Sequence, residues 1–320
     1  MKAAVVHGTE GLRYEEVPDP EPKPGEVLLR VAAVGVQGGD VLSAARGGAD
    51  PSTPFVVGYQ ASGTVAAVGA DVTSLQMGQR AVGFTWAGSH AELVAVPEHQ
   101  VYPVPDGLDL RAAAGIPVEY GTADDCLFEF GRLRAGETVL IQAAASGLGL
   151  AAVQLAKAAG ATVIGTASSD ERLARLADHG LDHPINHRGT DVPERVQQLT
   201  DGRGVDLVVD PVGGRTLEGS IASLAHRGRI SWVGQAGRDG HVPDTWPLMR
   251  RNASLTGVWF GAEMVENPTR TSALIERLIE RVADGELSVV LDREFPLADA
   301  ADAHRYIESR AAFGRVLLIP

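Results

Sequence analysis

The chain has 320 residues, 44% hydrophobic and 22% charged, a globular balance that excludes fibrous and intrinsically disordered classes and suits about two domains. A formal net charge of −13 opposes general attraction to nucleic-acid phosphates, and no apolar run reaches the ~20 residues of a membrane helix. The single cysteine, Cys126, excludes an internal disulfide and a thiolate metal cluster.

The start, Met1 to Tyr14, reads as strand and turn, with no basic segment leading into an apolar one, so a cytoplasmic location is expected. Short β-branched runs follow at Val27–Val36, Gly63–Val68 and Ala91–Val96, punctuated by Pro18–Gly25 and Asp50–Pro54. This pattern predicts a β-rich, partly barrel-like unit. From about Leu133 the rhythm changes to alternating apolar runs and helical patterns. The run Thr138–Gln142 leads to a helix Leu148–Ala159, Thr162–Thr166 to Glu171–Asp178, and then a helix Val192–Leu199. Next come Leu207–Asp210, a helix Thr216–Leu224, Arg229–Gly234 and a strand Ser254–Phe260. Continuous apolar strands between helices predict a parallel sheet covered on both faces. A helix over Arg270–Ala283 and a strand Arg315–Ile319 finish the chain, the strand returning to the first domain.

The stretch Val139–Lys157 takes an apolar strand through a small-residue turn into a long helix. Dinucleotide-binding turns need small residues for tight turning and close approach to the pyrophosphate, which the helix N-terminus attracts. Here Ala144 and Ser146 stand at the first two glycine positions, and Gly147, Leu148 and Gly149 follow. Tight strand–helix packing alone gives the same pattern; the strand–helix–strand context favours a nucleotide site. An NAD site usually carries an acid at the end of the next strand. Ala167 occupies that position, and Ser168, Ser169 and Arg172 after it suit a 2′-phosphate, so NADPH is the expected cofactor. Asp170 and Glu171 lie in the same turn; the plainer alternative is a solvated Arg172 with the serines as a helix cap.

The order of six further stretches resembles the quinone oxidoreductase branch of the medium-chain dehydrogenase/reductase superfamily over essentially the whole chain. They are Pro18–Val27, Gly58–Val65, Val65–Gly69, Met77–Gly83, Gly202–Gly214 and Ala311–Leu318. The resemblance implies an α/β fold in which a Rossmann domain, a doubly wound parallel sheet over 117–260, is inserted in a β-rich, partly open barrel-like (GroES-like) catalytic domain, 1–116 plus 261–320. It implies an active-site cleft between the two domains and a homodimer formed through strand 254–260. It also implies cofactor contacts at Thr122, at the loop Pro211 to Gly213 including Val212, and at Gly234, Gln235, His187, Arg188, Phe260 and Arg315.

In zinc-dependent members of the superfamily, the catalytic ligands would fall at Gln37 and Tyr59. Neither is a side chain zinc prefers, and the four clustered cysteines of the structural zinc lobe are absent, so no metal is expected. His179, His183 and His187 are expected as solvated residues around a helix end and a loop. Without zinc, the protein must orient the acceptor and stabilise the oxygen that becomes negative, and a proton must arrive. The candidates are Gln37, Asp40, Tyr59, Gln60, Tyr120, Thr122 and Asp124. Gln37 replaces the Asn usual in relatives and is expected to polarise a carbonyl. Asp40 is expected as a structural or interface residue, and Tyr59 as a phenolic donor or as pocket packing. Asp124 is expected as a general acid if buried, or as an exposed helix residue. Two departures, Leu42 and Asp124 where relatives often carry Tyr, point toward a specialised acceptor.

The first reading is therefore an NADPH:quinone oxidoreductase acting on a small-molecule quinone or enone. The alternative is an enoyl or double-bond reductase of secondary metabolism. A remote alternative is a non-catalytic nucleotide- or RNA-binding protein; the acidic balance argues against RNA.

Overall fold

The computed structural model describes residues 1–8, 11–47 and 53–320, so the turn signals expected at residues 50–52 lie outside the described residues. The chain divides into two compact units, Met1–Val118 with Met264–Pro320, and Glu119–Glu263.

The first unit opens with strands β1 (Lys2–Val6), β2 (Leu12–Glu16) and β3 (Glu26–Gly35), then helix α1 (Gly38–Arg46). Strands β4 (Phe55–Val56), β5 (Gln60–Val68), β6 (Arg80–Phe84), β7 (Leu93–Pro97) and β8 (Val101–Pro103) follow, with a short helix α2 (Leu110–Ala113). β3 forms because its apolar residues recur every second position. Val27, Leu29 and Val31 are buried on one face, while Arg30 between them is exposed. Register shifts between Leu28 and Leu29 and between Val31 and Ala33 break the β3–β5 ladder. Such bulges bend a strand and let a sheet curl. β7 also pairs antiparallel with β3. The enclosed core gathers Val27, Leu29, Val65, Ala81, Val94, Val96 and Val316. Each fully buried aliphatic side chain of this kind is worth ~1.5–3 kcal/mol.

The second unit begins within α3 (Pro117–Asp124), which runs on into a π-helical turn, Asp125–Glu129. Then β9 (Thr138–Ile141), α4 (Gly147–Ala158), β10 (Thr162–Ala167), α5 (Asp170–Ala177), β11 (His183–Asn186) and α6 (Val192–Leu199) alternate. β12 (Val205–Asp210), α7 (Gly214–Ala222), β13 (Leu224–Trp232), α8 (Trp246–Arg251), β14 (Ser254–Gly257) and α9 (Phe260–Glu266) complete the series. The six strands form one parallel sheet in the order β11-β10-β9-β12-β13-β14. That is the doubly wound arrangement, and its strand order reverses between β9 and β12.

Three expectations need correction. The strand expected over 254–260 ends at Gly257, and Phe260 instead opens α9. Val258 donates its last sheet bond to Trp232, after which the Phe260 ring turns inward against Gly121. His183 does not lie in a loop; it opens β11, which tolerates Pro184 because it is an edge strand. β13 starts five residues earlier than expected, at Leu224 rather than Arg229, where a register shift in its pairing with β12 hides the pattern.

The chain then adds α10 (Pro268–Ala283), β15 (Leu291–Pro296), α11 (Ala300–Glu308) and β16 (Arg315–Ile319) to the first unit. β16 pairs antiparallel with β3 through Leu317–Gly35 and Leu318–Val34, and parallel with β15. Among the described residues, no helix is long and apolar enough to cross a membrane.

Candidate active site

In the second unit, the β9–α4 turn sits at the carboxyl end of the strand beside the reversal of strand order, where doubly wound sheets bind ligands. Ala144 is fully buried and donates its amide to the Thr166 carbonyl at 2.8 Å, pulling the turn onto β10. Gly149 must lack a side chain. A Cβ there would meet the Ala143 carbonyl at 2.5 Å and the Ala144 backbone at 2.6 Å. Ser146 caps α4, its Oγ accepting the Gly149 amide at 3.0 Å. The hydroxyl hydrogen therefore remains to be donated outward. Gly147 and Leu148 lie in the first turn of α4, where amides have no intrahelical acceptor.

At the end of β10, Ala167 is buried and offers no carboxylate; its carbonyl accepts the His187 amide at 3.1 Å. Ser169 caps α5 by accepting the Arg172 amide at 3.4 Å, and Ser168 beside it is half-buried. His187 and Arg188 are exposed. Sequence reasoning missed Asn186, which donates to the Asp170 carboxylate at 3.0 Å and accepts the Arg188 amide at 3.1 Å. The acid that tempered the phosphate reading is thus held by a neighbouring strand end. The β12–α7 loop with Val212 and the β13 exit with Gly234 and Gln235 are brought together. Ala236 donates to Pro211 at 3.1 Å and Gly237 to Val212 at 2.8 Å.

Helix α3 carries three of the predicted residues. Thr122 and Asp124 are both buried. Tyr120 is tied to α4, its hydroxyl accepting from Gln154 Nε2 at 3.1 Å. Gly121 makes room for Phe260, whose ring carbons would lie 2.4–3.0 Å from a Cβ placed there. Phe260 therefore backs the helix that bears Thr122. Burial pushes the Cys126 thiol far above its ordinary range, which removes it as a nucleophile.

In the first unit, the N-terminus of α1 gathers Gln37, Asp40 and Tyr59, and Arg315 reaches the residue before it. The Gln37 amide donates to Asp40 Oδ2 at 2.7 Å, and Arg315 Nη2 donates to the Val36 carbonyl. The peptide entering α1 is thus gripped on both sides. The Gln37 side chain is buried, yet its Nε2 has no hydrogen-bond partner among the described residues. Tyr59 is half-buried and donates to the Gly39 carbonyl at 3.3 Å. Burial and the nearby Asp40 charge raise its pKa, opposed in part by Ser43 and Arg46, so the phenol stays neutral. Gln60 is fully buried, and its Oε1 accepts the Val118 amide at 3.0 Å. Among the described residues, no group of three His, Cys, Asp or Glu side chains is placed to hold a metal.

The family described as alcohol dehydrogenase GroES-like domain matches residues 23–106, and that described as zinc-binding dehydrogenase matches residues 147–280. The chain is 33% identical over 324 residues to the quinone oxidoreductase of Pseudomonas aeruginosa, covering 100% of this chain and 99% of that protein. It is 34% identical over 319 residues to one of the proteins of the phenolphthiocerol/phthiocerol polyketide synthase of Mycobacterium tuberculosis, but spans only 14% of that protein's length. The Escherichia coli quinone oxidoreductase, solved in complex with NADPH, superposes over 100% of both chains with a TM-score of 0.93 at 27% identity. The chain belongs to the quinone oxidoreductase branch of the medium-chain dehydrogenase/reductase superfamily.

Proposed function

We propose that this protein is an NADPH-dependent oxidoreductase that reduces a quinone, or the C=C of an α,β-unsaturated carbonyl compound, without a metal. The observation that carries this reading is the buried Gln37 amide, whose Nε2 is left without a partner. A buried, unsatisfied donor costs ~1–3 kcal/mol, which a ligand oxygen would recover. Gln37 donates to the acceptor's carbonyl oxygen as negative charge builds there. Asp40 and Arg315 hold the peptide that aims it. We assign proton delivery to Asp124, buried at the end of α3, and a minor, packing role to Tyr59.

Cofactor binding is assigned to 117–260, and polarisation of the acceptor's carbonyl to 1–116 with 261–320. When bound, the reduced nicotinamide supplies the hydride. The residues present fit such a cofactor: the crowded Gly149 permits the tight turn, and the Ser146 hydroxyl and the first amides of α4 would hold its pyrophosphate. Ser168, Ser169, Arg172, His187 and Arg188 hold the 2′-phosphate. Thr122, Val212, Gly234, Gln235 and Phe260 border the nicotinamide end. The NADPH complex of the Escherichia coli relative supports this choice. β14, paired with β13 at the edge of its sheet, is the surface proposed for homodimerisation. A second reading, an enoyl reductase of secondary metabolism, is favoured by Leu42 and Asp124 and by the likeness to part of a polyketide synthase.

Titration by fluorescence tests the cofactor assignment. NADPH should bind well and NADH poorly. Arg172→Ala should weaken NADPH by about tenfold to a hundredfold, the loss of one charge-assisted phosphate contact, and leave NADH unchanged. Equal binding of the two nucleotides by the unaltered protein would overturn the phosphate site.

A further inference from the structure

Beneath the nucleotide turn lies a buried polar chain in the second unit that sequence reasoning did not find. The Ala143 amide donates to Thr166 Oγ1 at 3.1 Å, and Thr166 Oγ1 donates to Gln142 Oε1 at 2.8 Å. Gln142 Nε2 donates to Ser220 Oγ at 3.1 Å, and Ser220 Oγ donates to Asp210 Oδ2 at 2.7 Å. The other carboxylate oxygen, Asp210 Oδ1, accepts the amides of Val212 at 2.8 Å and Gly213 at 2.9 Å. All four side chains are buried. The donors and acceptors fit in one direction only, from a backbone amide of one loop to the carboxylate that folds the other.

Two features show that the chain does more than fill the core. Ala143 has φ of +51°, a left-handed conformation costly for a residue with a side chain. The Thr166 hydroxyl accepts its amide, and its carbonyl accepts the Ser146 amide at 3.0 Å. The chain also spans the place where strand order reverses: Gln142 follows β9, Asp210 ends β12, and Gln142 donates its own amide to Val209 at 3.0 Å. Burial pushes the Asp210 carboxyl up, while its three donors oppose that shift.

We infer that Thr166, Gln142, Ser220 and Asp210 form a positioning relay that locks the β9–α4 turn and the 210–213 loop into one cofactor-binding surface. The inference rests on the NADPH reading above. None of the four side chains is a catalytic residue; they act through the backbone of Ala143, Val212 and Gly213. Because the relay is serial, breaking it at either end releases the same coupling.

The test is a double-mutant cycle of Thr166→Val and Ser220→Ala, with NADPH affinity read by fluorescence titration. Each change should weaken NADPH by about tenfold, and the two together by about the same factor rather than about a hundredfold. Thr166→Ser, which keeps the hydroxyl, should restore affinity. Hydrogen exchange on the cofactor-free protein supplies a second readout. Ser220→Ala should speed exchange at the Ala143 amide, which Ser220 does not touch. Losses that multiply, unchanged affinity in both single variants, or unchanged exchange at Ala143 would each overturn the relay while leaving NADPH binding standing. Failure of the unaltered protein to bind NADPH overturns the cofactor reading and the inference with it.

Discussion

Gln37→Leu is expected to lower kcat/KM toward a quinone or enone acceptor by about a hundredfold, the usual consequence of removing one donor to a developing oxyanion. NADPH affinity should stay within about twofold, because the loss lies in stabilising the reacting oxygen and not in holding the nucleotide. The same variant should lose no more than about 1 kcal/mol of stability, because Gln37 is the N-cap of α1 and its side chain accepts the Asp40 amide in a capping box, a bond leucine cannot make. Leucine has a similar shape, and the replacement removes a buried amide nitrogen that has no partner among the described residues. Activity lost by about a hundredfold with no more than this small loss of thermal stability is the pattern that separates a substrate-facing donor from a purely structural one. Activity retained toward both acceptor classes would show that Gln37 only fills its pocket.

Acid should destabilise the first unit through two histidines. His90 and His304 are buried with their Nε2 atoms 3.1 Å apart, one necessarily donating and the other accepting. Burial and His304 lower the His90 pKa well below its usual range, and burial lowers that of His304 to about 4. The folded protein therefore binds fewer protons than the unfolded chain between the ordinary histidine value of 6.5 and about 4. Stability is full above that window and falls as pH drops through it. The loss at the acid end is on the order of a few kcal/mol and belongs to the pair. Urea unfolding followed across that range should show this slope, and His304→Phe should flatten it. A flat profile in the unaltered protein would contradict the buried neutral pair.

What could be read from the sequence was what repeats locally. The alternation of Val27, Leu29 and Val31 announced β3. The strand–turn–helix at Val139–Lys157 announced the nucleotide turn even with Ala144 and Ser146 in glycine positions, because a crowded Gly149 was still in place. The family likeness supplied Gln37, Asp40 and Arg315 as candidates, but not the grip of Asp40 and Arg315 on the peptide entering α1. What escaped depended on partners distant in the chain. His90 and His304 meet across 214 residues. The relay from Thr166 to Asp210 joins the ends of three strands, and its members look like ordinary polar residues when read singly. β11 was hidden because His183–Asn186 carries Pro184 and only one buried apolar residue, Ile185. Phe260 read as the end of a β-run, but a glycine 139 positions earlier, Gly121, gave its ring a place to turn inward.

The most direct test of the central claim is steady-state NADPH oxidation by chelator-dialysed protein with a quinone panel and an enone panel. The account predicts acceptor-dependent oxidation of NADPH that neither chelation nor added zinc changes. No oxidation with either panel, or activity lost on chelation and restored by zinc, would contradict it.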